Sequence, residues 1–190
     1  MRQGKRHRVL ARGWLWAGLL LGVAACSFPF NYEVNVQDYA DLSGTFTVGQ
    51  GGISPNPKTV GPVEIRYTPD SRVNLTGATL DYRVCFTSET PGASFQGNLR
   101  YTAYLGGDAV TLFQEANKLA EGTEEVSALS TGAVCVEGQA QATAAQVQAL
   151  RSGTFYVGAR ISGDATSVQE ATVRYQTQRF LLRLSGTARP

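Results

Sequence analysis

Alternation of apolar and polar residues recurs along most of this chain, and a period of two is the pattern of strands that bury one face. Leu80, Tyr82, Val84 and Phe86 alternate with Asp81, Arg83 and Cys85. Leu99, Tyr101, Ala103 and Leu105 alternate with Arg100, Thr102 and Tyr104, and Phe155, Val157, Ala159 and Ile161 with Tyr156 and Arg160. Shorter runs of the same kind carry Tyr32, Val34 and Val36, then Phe46 and Val48, then Val63, Ile65 and Tyr67, and later Val134 and Val136. Val110 and Leu112 follow a Gly106-Gly107-Asp108 turn and predict a further strand. Near the end, Ala171, Val173 and Tyr175 change parity before Phe180, Leu182 and Leu184, which requires a bulge or a tight turn between them. Many short strands separated by Gly- and Asp-rich turns predict an all-β fold: an antiparallel β-sandwich, Ig-like or jelly-roll-like, with one short α-helix.

The helix is marked by its ends. Thr143 and Gln146 have the spacing of a capping box, Ala144, Val147 and Leu150 share a face, Arg151 sits in the last turn, and Gly153 suits a stop. It is expected to cross one end of the sandwich. Residues 49–62 read as a loop by composition, with Gly51, Gly52, Pro55, Pro57 and Pro62. Residues 115–131 show no clear period, and Glu121, Glu124 and Glu125 read as a solvated acidic loop.

Composition excludes several chemistries once residues 1–25 are set apart. The single histidine, His7, and both tryptophans, Trp14 and Trp16, lie there, so the remainder has no His, Trp or Met. A Ser-His-Asp or Cys-His arrangement is impossible in that remainder, and so are His-bearing zinc and iron sites. No metal site and no cofactor is expected. Gly49-Gln50-Gly51-Gly52 precedes no Lys-Ser/Thr and carries no phosphate-loop signature. The formal charge of +2 also changes sense: five of the 17 basic residues and none of the 15 acids lie in residues 1–25, which leaves a net −3 and no case for nucleic acid as a partner. Asp70, Asp108 and Asp164 read as turn residues beside Gly, Ser or Pro. Tyr104 and Tyr156, in phase with polar neighbours, either cover a sheet exterior or line a binding face.

Of three cysteines, Cys85 and Cys135 fall in strand patterns and predict a structural disulfide closing a loop of about 50 residues, worth ~4 kcal/mol on the chain-entropy account. Both lie in phase with polar residues. The bridge is therefore expected on an outer sheet face, between neighbouring strands or beneath the helix.

The third cysteine ends a distinctive N-terminus. Arg2, Lys5, Arg6, Arg8 and Arg12 precede a short apolar run from Trp14 to Ala25 containing Leu19, Leu20 and Leu21. A basic head, an apolar middle of about a dozen residues and small residues at the end form an export signal, too short for the ~20 residues of a membrane span. Val23-Ala24-Ala25-Cys26 resembles the lipobox of bacterial lipoprotein precursors, with Val23 where that family usually has Leu. The resemblance covers residues 1–26. It implies a diacylglycerol on the Cys26 thiol, cleavage between Ala25 and Cys26, and anchoring in a membrane of the cell envelope; Ser27, in place of a retaining Asp, implies the outer membrane where the host has one. The rival reading is cleavage by the general signal peptidase and soluble export, which Val23 and Ala25 also permit. The expected organisation is a signal peptide over 1–25, a short lipidated tether over 26–30 and a single sandwich domain over 31–190. Its partners are then the membrane, through Cys26, and an envelope protein or surface polymer met by non-enzymatic contact; the alternatives are a small-ligand-binding envelope lipoprotein and, third, a carboxylate-dependent hydrolase. Ala145 to Leu150 followed by Gly153 to Val157 is similar to a helix-to-strand stretch of chordin-type domains, without the His and Gly-Glu-Ile-Arg-Gly features that follow in that family.

Overall fold

The computed structural model describes residues 27–189, so the export signal and Cys26 lie outside the described residues. Twelve strands and one α-helix follow in the order β1 (Phe28–Asn35), β2 (Ser43–Gly49), β3 (Gly52–Ser54), β4 (Lys58–Arg66), β5 (Val73–Ser88), β6 (Phe95–Gln96), β7 (Asn98–Gly106), β8 (Lys118–Glu125), β9 (Val134–Gln141), α1 (Ala144–Arg151), β10 (Thr154–Gly163), β11 (Thr166–Ser167) and β12 (Ala171–Ala188). All pairings are antiparallel. The larger sheet runs β3-β2-β12-β5-β9, with β1 added to β12; the smaller runs β4-β10-β7-β8; β6 and β11 form a two-residue ladder. The two sheets bury one continuous core, in which Phe86, Phe155 and Phe180 are among the largest fully enclosed side chains. This is the all-β sandwich with one short helix that the alternation predicts.

The spine of the larger sheet is β5 against β12, in register from Val73↔Ala188 to Ser88↔Val173. Their inward residues are the predicted ones: Leu80, Tyr82, Val84 and Phe86 face the core with Val173, Tyr175, Phe180, Leu182 and Leu184. The parity change is a β-bulge, because Thr177 pairs with Val84 while Arg179 pairs with Arg83, leaving Gln178 as the extra residue. The bulge lets Tyr175 and Phe180, an odd number of residues apart, point the same way. On the outer face Asp81 is buried between two guanidiniums, at 2.8 Å from Arg179 Nε and 3.3 Å from Arg183 Nη1, and Arg183 also meets Glu33 of β1 at 3.0 Å. These charges join β1, β12 and β5 across the solvent side.

The sheets approach closely at β8 and β9. A Cβ on Gly122 would lie 2.5 Å from Val136 Cγ1 and 2.9 Å from the Tyr82 hydroxyl, so only a residue without a side chain fits there. Tyr82 in turn stacks on Tyr101 of the opposite sheet, with ring centroids 5.6 Å apart. The helix is as expected: Thr143 Oγ1 accepts from the Gln146 amide, the Gln146 side chain accepts from the Thr143 amide, and Val147 and Leu150 are buried. Gln146 is also buried, and its Nε2 donates to the carbonyls of Asn117 and Lys118.

Four expectations are corrected. The first strand begins at Phe28, so residues 28–30, assigned above to the tether, are paired with β12 from Phe28↔Ala188 onward. Residues 49–62 are largely strand. Gly61 and Pro62 form a bulge opposite Gly158 on β4, an edge strand that tolerates a residue without an N–H. No strand forms at 110–112. The Asp108 carboxylate accepts from the Val110 amide at 2.6 Å and bends the chain, leaving Val110 92% exposed while Leu112 is enclosed. The acidic segment is β8 rather than a loop, with Glu121 within ion-pair distance of Arg100 and Lys118. It escapes a periodicity reading because only Leu119 and Ala120 of this edge strand are buried.

Cys85 and Cys135 are bonded and directly opposite each other on the neighbouring strands β5 and β9. Their separation of 50 residues gives an expected loss of about 4 kcal/mol in the Cys85→Ala/Cys135→Ala double variant, measured by denaturant titration. A change within ~0.5 kcal/mol would show that the bridge constrains little in the unfolded chain.

Candidate functional site

The larger sheet is longer than the smaller one, and its excess length leaves one end of the sandwich open. The residues that pair across β1, β12 and β5 form inward-facing rows. Val34, Leu182 and Leu80 make a fully buried row. The next row, Tyr32, Leu184 and Ala78, is enclosed at Leu184 and Ala78 but leaves Tyr32 53% exposed. Beyond it Phe30, Gly186 and Leu75, and then Phe28, Ala188 and Val73, continue the same face, and Phe28 is 56% exposed. The face that carries the core therefore runs out past its cover. Phe30 and Tyr32 stack there with ring centroids 6.4 Å apart.

The opposite wall of this groove is the segment 67–71, which leads from β4 to β5, together with Arg151 at the end of α1. Gly153 makes that approach possible. Its φ is +81°, and a Cβ there would lie 2.8 Å from Pro69 Cδ and 2.9 Å from the Tyr67 carbonyl. The Tyr67 amide donates to the Gly153 carbonyl at 2.9 Å, and the Tyr67 hydroxyl donates to the Leu150 carbonyl at the helix C-terminus. Partial burial pushes the Tyr67 phenol up from its ordinary value, so it stays a donor. Arg151 Nε donates to the Leu75 carbonyl at 2.8 Å, joined there by Nη2, while Nη1 donates to Gln148 Oε1 at 3.3 Å. The groove so bounded has a volume of about 620 Å³, within the range of small-ligand sites.

Its floor is apolar, from Phe30, Val73, Leu75 and Leu184, and its rim is polar, with Thr68, Asp70, Ser71 and Asn74. Asp70 accepts from the Arg72 amide at 2.9 Å and from Arg72 Nε at 3.1 Å, and Arg72 Nη2 reaches Asp70 Oδ2 at 2.7 Å. The Arg72 hydrogen bonds hold the Asp70 carboxyl at about 2, below its ordinary 3.8. The charges of Asp70 and Arg72 are thus committed to each other, while Arg151 meets only neutral acceptors.

Of the residues singled out from sequence, Tyr32, Asp70 and Arg151 come together here, while Cys26 lies outside the described residues. The disulfide is elsewhere, ten residues along β5 from Leu75 and therefore ~33 Å away in an extended strand. Tyr104 is buried, not exterior: Phe113 closes over it edge-on at 5.4 Å, with the Arg160 guanidinium 4.9 Å above the Phe113 ring. Tyr156 remains partly exposed, with its hydroxyl 3.4 Å from Glu64 Oε1. Sequence reasoning missed Tyr67, Pro69, Val73, Leu75 and Leu184 as groove residues, because each also reads as ordinary strand or turn. Among the described residues, no three His, Cys, Asp or Glu side chains gather as a metal site. The buried carboxylate among them, Asp81, is neutralised by two arginines and faces away from the groove.

No family model matches the chain, and no curated protein does. Among solved structures it is similar to that of infectious bursal disease virus Gx strain, at 12% identity and a TM-score of 0.35, over 85% of this chain and 36% of that one. It is similar to the Gt strain structure at 10% identity and 0.34, over 85% and 39%, and to the VP2 subviral particle at 12% and 0.30, over 85% and 40%. The chain spans at most two fifths of those viral chains, and likeness of that degree assigns no activity.

The Asp70–Arg72 clamp sets a pH expectation. A carboxyl held at about 2 in the folded chain and at its ordinary 3.8 in the unfolded one contributes stability that is whole above 3.8 and is lost as pH falls from there through about 2. The Arg72 amide resonance should titrate with that midpoint in an NMR pH series; a midpoint near 3.8 would show the clamp to be absent.

Proposed function

We propose that this chain is a bacterial cell-envelope lipoprotein, held to a membrane by acyl chains on Cys26, whose sandwich domain works by non-catalytic contact with an envelope protein or surface polymer. One observation carries the reading beyond the N-terminal motif. The first strand starts at Phe28, so Ser27 alone separates the lipobox cysteine from folded structure, and that end of the sandwich is the one with Phe28 and Tyr32 uncovered. An apolar, aromatic end beside the anchor suits a membrane interface, where aromatic side chains collect. Two or more chains on one cysteine make such an anchor firm, since each buried methylene contributes about 0.8 kcal/mol and a single chain holds only marginally.

The absence of His from the domain and the neutralisation of Asp81 favour contact over catalysis. A second reading, a lipoprotein that binds a small apolar ligand, is favoured by the groove of about 620 Å³ with its apolar floor. The two separate on what the groove contains in protein purified from membranes: an extractable small molecule at stoichiometric amount supports the second.

Cys26→Ala should leave the precursor unprocessed, with its signal attached, by mass spectrometry of the membrane fraction. Normal processing with release of soluble protein would end the lipoprotein reading and leave ordinary export.

A further inference from the structure

The geometry points to one occupant for the open groove: an acyl chain of the lipid carried by the protein's own Cys26, folded back onto the domain it anchors. This inference rests on the lipoprotein reading above. Cys26 is four residues from Phe30, the first groove residue, and an extended chain covers that interval in ~13 Å. Phe28 and Phe30 lie on one face of β1, so an apolar track leads from the anchor into the groove, where Leu75, Val73 and Leu184 form the floor.

Reach, rather than charge, favours this occupant over a free fatty acid or a phospholipid. A free lipid brings an anionic head that needs a counter-charge. Beside the groove Arg72 is paired with Asp70, whereas Arg151, which lines it, bonds only neutral acceptors, the Leu75 carbonyl and Gln148, and keeps its charge. A chain ester-linked to the glycerol on the Cys26 thiol has no charged head and needs none. The apolar floor takes hydrocarbon of either kind, and the tethered chain is the one held beside the groove at high effective concentration. While the chain occupies the groove, the anchor holds the membrane by its remaining chains.

The test uses the full chain expressed in cells fed a fatty acid bearing a photoactivatable diazirine. Membranes are irradiated and the purified protein is mapped by mass spectrometry. The expected result is a cross-link from the Cys26-borne chain to Phe30, Tyr67, Leu75 or Leu184 of the same polypeptide. Ser71→Trp, which fills the groove at its rim, should remove most of that yield; Asn74→Trp replaces it if that variant does not accumulate. Labelled Cys26 with cross-links confined to membrane phospholipids would overturn this inference and leave the lipoprotein reading standing. Groove cross-links of equal yield in Cys26→Ala would also overturn it, in favour of a free lipid. A chain carrying no label at residue 26 would remove the lipoprotein reading itself, and this inference with it.

Discussion

The long pairing of β5 with β12 is the constraint from which the rest of the structure follows. Two strands of 16 and 18 residues run together from Val73↔Ala188 to Ser88↔Val173, far longer than the four strands of the opposing sheet. A sheet pair with unequal strand lengths cannot cover itself along its whole extent. Over the middle, the inner faces meet and enclose Phe86, Phe155 and Phe180, and each such side chain contributes about 1.5–3 kcal/mol by leaving water. Toward Val73 and Ala188 no strand among the described residues opposes it, and the same alternation that builds the core presents its apolar side to a groove.

Small local devices keep this arrangement in register. The bulge at Gln178 switches parity so that both halves of β12 face the core. Asp81, between Arg179 and Arg183, ties the two long strands on the solvent side, although half-exposed arginines limit what such pairs contribute. Gly153 ends α1 and lets Tyr67 and Pro69 close against it, which turns an uncovered sheet end into a bounded groove.

The strands of the core were legible because one face of each is buried and period two survives, as in 80–86, 99–105 and 155–161. The capping box of α1 was legible because it is a local exchange of hydrogen bonds between Thr143 and Gln146. Legibility fails where edges and turns decide. The edge strand β8 has few buried residues, β4 carries a proline in a bulge, and the Asp108 side chain outweighs the alternation of Val110 and Leu112. The groove was illegible for a different reason. Its walls come from β1, β12, the start of β5 and the 67–71 segment, and only the relative lengths of the two sheets make those pieces adjacent and uncovered.

The bulge at Gly61 and Pro62 has a consequence for crowding. β4 is one margin of the smaller sheet, β8 being the other, and an unbroken margin is a template on which a neighbouring molecule can add a strand. Pro62 offers no N–H to such a neighbour, and the bulge interrupts the even spacing that a continuing ladder needs. Copies packed side by side at high density would therefore meet a margin that resists fibre growth, so that the chain can be abundant in one place without polymerising through that edge.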